Sequence, residues 1–167
     1  MRNMQKYKVG QKVMHPLHGI GTVETIEEKT ILGKSTSFSV IHFVGDRLKI
    51  MVNLDQKMKL IRSLIKKDEV TKILDYMVES KTLLPSRASE RYNLNLKKIK
   101  SADIYKMAEV IKDLSDLNRQ KKLSRKEQTM LKQAKKIFCS EVSYVRDISE
   151  EEAEAMIDQT VKCTGKE

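Results

Sequence analysis

Leu48-Lys49-Ile50-Met51-Val52-Asn53-Leu54 decides half of the fold. Leu48, Ile50, Val52 and Leu54 alternate with Lys49, Met51 and Asn53, the period of a strand with one buried face. Upstream, residues 35–44 are rich in β-branched and aromatic side chains, and His18-Gly19, Gly33-Lys34 and Gly45-Asp46 are turn signals. Residues 20–31 alternate poorly, so a bent or bulged strand is expected there. Four or five short strands between Tyr7 and Arg62, with no helix-length segment among them, predict a small antiparallel barrel or curled sheet.

From about Lys66 the period changes. Ile104, Met107, Ala108, Ile111 and Leu114 recur at helical spacing, as do Met130, Leu131, Ala134, Ile137 and Phe138. Ser124-x-x-Glu127 and Ser149-x-x-Glu152 are capping boxes, and Ser101 followed by Asp103 marks another start. Leu83-Leu84-Pro85-Ser86 is a break, because proline removes a donor and turns its predecessor away from helix. Five helices are predicted, over about 66–80, 87–100, 103–118, 124–145 and 150–162. The chain therefore reads as α+β, a β module over residues 1–62 followed by an all-α domain over 63–167.

Composition agrees with this division and narrows the function. The 167 residues are 40% hydrophobic and 34% charged, with two Pro and six Gly, which suits a packed core under long solvated helices. No apolar run approaches the roughly 18–20 residues of a membrane span. The start lacks the apolar stretch of a signal peptide, so an intracellular, cytoplasmic protein with no membrane partner is expected. The net charge of +10 is uneven. Residues 81–136 carry 16 basic and 6 acidic side chains, whereas residues 137–167 carry 3 and 8. A cationic block of this kind suits a polyanion, and its bland counterpart is a solvated, lysine-studded helical face.

Catalytic patterns are missing. His15 and His18 have no third or fourth metal ligand nearby in the sequence. Cys139 borders the apolar face of its helix beside Phe138, with no local histidine base, and reads as a core thiol. Gly19-x-Gly21 follows a strand but lacks the third glycine and the helix of a phosphate loop. The acidic run at 150–154 suits a helix N-terminus better than a metal. No enzyme activity, metal or cofactor is expected.

The chemically informative stretch is residues 87–100, Arg-Ala-Ser-Glu-Arg-Tyr-Asn-Leu-Asn-Leu-Lys-Lys-Ile-Lys. Tyr92, Leu96 and Ile99 form a stripe that should face the helical core. Arg91 and Lys98, seven apart, share another face from which both could reach a phosphate backbone. Lys121, Lys122, Arg125 and Lys126 cluster at a helix start, where free amides also favour an anion.

Taken together, Tyr7-Lys-Val-Gly10-Gln-Lys-Val-Met-His-Pro16-Leu-His18-Gly19-Ile-Gly21, Leu60-Ile61-Arg62, Pro85-Ser-Arg-Ala-Ser-Glu-Arg-Tyr92, Ser101-Ala-Asp103 and Leu123-Ser124-Arg-Lys-Glu127 with Met130-Leu131 resemble the CarD/CdnL family of bacterial transcription regulators. The opening motif is shared with transcription-repair coupling factors, and its combination with the helical half is what specifies the family. The resemblance implies a Tudor-like or SH3-like N-terminal barrel that docks on the RNA polymerase β subunit. It implies a helical domain that contacts promoter DNA, mainly through backbone and minor groove, at the upstream edge of the transcription bubble. Such proteins shift open-complex stability without enzyme activity or cofactor. By position, the resemblance places polymerase contacts at Lys29 and Met51, with Lys49 supplying charge two residues from Met51. It places DNA contacts at Arg87, Ala88, Ser89 and Arg91, at the entry to residues 87–100. Glu90 and Asn93 stand at positions often basic in the family, and Lys97, Lys98 and Lys126 are expected to supply the DNA-binding charge nearby. Many relatives carry a tryptophan wedge where this chain has Ala88, and this chain has no Trp at all. The competing expectation is a protein–protein adapter on the polymerase without wedge contact. A monomer, nucleoid-associated through the polymerase, is the expected state.

Overall fold

The structure, a computed structural model, describes residues 7–55 and 61–164. The chain divides into two compact units, residues 1–64 and 65–167.

The first unit is one antiparallel sheet of β1 (Lys12–His15), β2 (Gly19–Ile31), β3 (Lys34–Phe43), β4 (Leu48–Asn53) and β5 (Arg62–Ser63), in the order β4-β3-β2-β1-β5. The antiparallel sheet expected from the strand pattern is present, open rather than closed into a barrel, and is compatible with the Tudor-like fold that the resemblance implies. β2 shifts register between Val23 and Thr25, the irregularity that its broken alternation predicts. Tyr7, Val13, Val23, Ile41, Phe43, Val52 and Ile61 form the core on one face. The Tyr7 hydroxyl donates to the Ile61 carbonyl at 3.2 Å, satisfying its one polar atom inside that core. Leu60 lies outside the described residues.

The Gly19-x-Gly21 pair proves to be steric. Gly19 turns the chain into β2 with φ of +78°, a conformation that costs glycine little. Gly21 faces the core so closely that a Cβ there would stand 2.6 Å from both Ile41 Cγ2 and Phe43 Cε1. Gly21→Ala is therefore expected to destabilise this unit by about 1–3 kcal/mol through overpacking. Urea unfolding followed by tyrosine fluorescence checks this, and a variant as stable as the parent would refute it.

The second unit holds α1 (Glu69–Glu79), α2 (Ala88–Lys100), α3 (Ile104–Arg119), α4 (Arg125–Arg146) and α5 (Glu150–Thr164). Val70, Ile73 and Met77 of α1, Met107, Ile111 and Leu114 of α3, Phe138 and Val142 of α4 and Ile157 of α5 meet in one core. Cys139 is buried at its margin, and burial pushes its thiol up to about 11, with Glu154 adding to the shift. Both capping boxes form: Ser124 and Glu127 exchange bonds at the start of α4, and Ser149 and Glu152 do so at α5. Asp103 caps α3 by accepting from the Tyr105 amide. Glu141, fully buried on α4, accepts from the Ile65 amide at 2.9 Å and fixes the start of the unit to its middle. Among the described residues, no helix is long and apolar enough to cross a membrane.

Candidate nucleic-acid interface

α2 begins after an irregular connection, residues 80–87, that three polar anchors hold, the first of them Lys112 of α3 donating to the Ser80 carbonyl. Thr82 donates to the Asp113 carboxylate of α3 at 2.7–2.8 Å. At the other end, Arg91 reaches back along α2, and its Nη1 donates to the carbonyls of Ser86 at 2.9 Å and Pro85 at 3.4 Å. The same guanidinium crosses to α4. Its Nε and Nη2 grip the Glu127 carboxylate at 2.7 and 3.0 Å, and Nη2 also donates to the Lys122 carbonyl at 3.4 Å. Glu127 is thus shared between Arg91 and the Ser124 amide of its own capping box.

This sets the burial of Arg91 against the expected DNA contact. Arg91 is 6% exposed and faces inward, so its charge is committed to Glu127 rather than free for a phosphate. Lys98 also turns inward, with its Nζ 2.9 Å from Glu109 Oε2 of α3 and only 14% of its side chain exposed. The physical reason lies in the helix geometry. Residues 91, 95 and 99 recur at i+4 and form the buried side of α2, while Tyr92 and Leu96 flank it, half-buried against the core. Arg91 and Lys98 share a face as expected, but that face is bridged to α4 and α3.

Burial pushes the Glu127 carboxyl up, but the Arg91 guanidinium and the Ser124 backbone and hydroxyl outweigh it and hold the carboxyl below its ordinary value. Glu109 behaves alike: burial raises it, whereas bonds from Tyr76 and Lys98 bring it below the usual range. Asp113 goes the other way, since burial outweighs the Thr82 bond and the nearby lysines.

The remaining residues singled out in the sequence are on the surface. Arg87 is exposed and lies 3.7 Å from Glu90. Ala88 is half-buried at the first position of α2, and Ser89 is exposed. Lys97 is exposed, roughly 14 Å up the helix from Ala88 at about 1.5 Å per residue. Lys126, exposed on the first turn of α4, stands 5.7 Å over the Tyr92 ring of α2. Tyr92 therefore carries a cation on one side and core on the other. Because Arg91 reaches carbonyls beside both helix starts, the exposed cations Arg87, Lys122, Arg125 and Lys126 belong to neighbouring segments.

One apolar residue was not anticipated as exposed. Leu83 is 98% exposed in the middle of the anchored connection, whereas Leu84 is half-buried. The Leu83-Leu84-Pro85-Ser86 run reads only as a helix break, and the Thr82–Asp113 anchor beside Leu83 has no local sequence signal.

The polymerase candidates lie on the other unit. Register places Lys29 opposite Thr36, Met51 opposite Val40 and Lys49 opposite His42, so all three share one face of the sheet. Lys49 and Met51 are adjacent along that face of β4, and Met51 is 52% exposed. Lys29 lies about 14 Å further out, four residues along β3 at about 3.4 Å each. Lys49 pairs with Glu24 at 3.1 Å, and Lys29 stands 3.7 Å from Glu27. The His15 and His18 rings meet at 4.6 Å between centroids, tilted by 39°. Burial, helped by His18, lowers His15 to about 4, and its Nδ1 accepts from the Leu17 amide at 3.1 Å. No group of three metal-ligating side chains exists among the described residues.

Comparison with known proteins agrees with both halves. Residues 72–158 match the family described as CarD, C-terminal domain, and residues 7–65 match the CarD-like/TRCF RID domain. The chain is similar to the candidate transcription factor YdeB of Bacillus subtilis (strain 168), at 29% identity over 150 residues, covering 87% of this chain and 96% of that protein.

Proposed function

This chain belongs to the CarD family of transcription regulators, and from that premise we propose that it docks on the RNA polymerase β subunit and holds promoter DNA at the upstream edge of the bubble. The observation that carries the DNA half is the exposed cationic surface at the starts of α2 and α4, formed by Arg87, Ser89, Lys122, Arg125 and Lys126, with Lys97 further along α2. Both helix starts also present their positive ends there. Contacts are to phosphate and groove shape, with little base readout. The sheet face of Lys29, Lys49 and Met51 docks on the polymerase. Tethering in this way raises the effective concentration of a weak DNA contact. Regulation follows if the open complex receives more of that binding energy than the closed one, since only differential affinity moves an equilibrium.

Ala88 offers little to an unstacked base, and Leu83 is the exposed apolar side chain of the same connection. Open-complex lifetime on a promoter served by the cognate polymerase tests the reading. Wild-type protein should change that lifetime. Ala88→Trp should lengthen it about fivefold or more, because aromatic stacking on a base is worth about 1–3 kcal/mol. Leu83→Ser should shorten it. If the protein leaves the lifetime untouched, the proposed role is wrong.

The inward turn of Arg91 and Lys98 removes two cations from the surface and favours a second reading, an adapter whose helical unit binds protein.

A further inference from the structure

We infer that Arg91 is a positioning residue rather than a phosphate contact: with Glu127 it latches the α1–α2 connection to the turn before α4. The inference rests on the DNA reading above for its functional consequence, but not for the latch itself. One buried guanidinium holds four groups from two distant segments, the carbonyls of Pro85 and Ser86, the carbonyl of Lys122 and the Glu127 carboxylate. Each segment is irregular backbone carrying exposed cations, Arg87 on one side and Lys121 and Lys122 on the other, with Arg125 and Lys126 following on the first turn of α4. Apolar burial of either segment is partial, through Leu123 packed against the helical core on one side and half-buried Leu84 and Pro85 on the other. Lys121 sits at φ of +56°, a left-handed conformation that persists in a non-glycine residue only where its surroundings hold it. Here the Lys121 and Lys122 amides close the end of α3 on the Asn118 and Leu117 carbonyls, and the Arg91 bond to the Lys122 carbonyl adds one side-chain tie to that turn. The spacing of the cations against a phosphate backbone therefore depends on a side chain that never meets DNA.

Glu127→Gln separates this reading from simple electrostatics. Glutamine keeps a capping-box acceptor for Ser124 but loses the charge and one of the two oxygens gripping Arg91. It also removes a negative charge beside a cationic surface, so electrostatics predicts tighter DNA binding. The latch predicts the opposite, a roughly three- to tenfold loss of affinity for a promoter-length duplex at fixed salt. Arg91→Lys is the second variant. It keeps the charge, so a direct phosphate contact would survive, whereas a single ammonium cannot span the same carbonyls and affinity should fall by a similar factor.

Amide hydrogen exchange on the full-length protein, at a temperature where both variants keep wild-type helix content, reads the latch without DNA. Exchange should quicken in residues 84–92 as well as in 121–128, with α5 unchanged. Faster exchange confined to 121–128 would overturn the latch, and so would tighter DNA binding by Glu127→Gln. Coupled loosening of both segments in a protein that never binds DNA would support the latch and sink the DNA reading instead.

Discussion

Arg91→Met should cost the helical unit about 3–5 kcal/mol at neutral pH, because it leaves Glu127 ionised, fully buried and without its cation. Methionine fills similar space, so the loss is electrostatic rather than a cavity effect. The sign of its pH dependence follows from Glu127. In the native protein that carboxyl is held below its ordinary value, so its contribution is present above about pH 4.3, the unfolded value, and fades as pH falls through the lowered folded one. Without Arg91 only burial and the Ser124 bonds remain, and burial raises the carboxyl. Protonation then relieves the variant as the medium is acidified. The stability gap between Arg91→Met and wild type should thus be widest near pH 7 and narrow toward pH 4. Urea titrations monitored by helical circular dichroism at several pH values measure it. A gap that stays constant with pH would mean the cost is packing, not charge.

The helices were legible where their ends carry chemistry. The capping boxes located the starts of α4 and α5 to within a residue, and Asp103 did so for α3. α1 was placed three residues early, because Asp68 makes no side-chain cap bond and Lys66–Lys67 continue the polar pattern without a stop. The strand half was legible through period and turns, and the poor alternation in β2 foretold its bulge.

The candidate site was legible in its charge but not in its orientation. Amphipathic reading assumes that apolar residues turn inward, and on α2 the buried positions are Arg91, Asn95 and Ile99. What permits a buried cation is Glu127, 36 residues away, whose role was already accounted for locally by Ser124. A residue with two partners hides the second one from any local pattern. Lys98 and Glu109 repeat the case between α2 and α3. The same logic exposes Leu83: its neighbour Thr82 is tied to Asp113 across 31 residues, a pairing no spacing rule foretells. Long-range polar pairs therefore decide which charges this surface offers, and under the proposed function the uncommitted cations would carry the DNA contact.

That sets the largest functional effect. Arg87, Lys122 and Lys126 are exposed, and none of them is held by a buried acid. Each phosphate contact on duplex DNA contributes about 0.9 to the slope of log affinity against log salt. Replacing all three by glutamate should therefore flatten that slope by about 2.7 and weaken binding near 0.1 M salt by roughly 100-fold or more. The substitutions lie outside the core, so helix content and unfolding midpoint should change little. Polymerase recruitment, assigned to the sheet face of Lys29, Lys49 and Met51, should persist in pull-downs while the effect on open-complex lifetime disappears. The adapter reading expects the reverse, with recruitment or partner capture lost and a salt-insensitive, weak DNA signal unchanged. Fluorescence anisotropy across a salt series, run beside the pull-down, separates the two because phosphate neutralisation is the only one of these interactions that releases counterions in proportion to the charges removed.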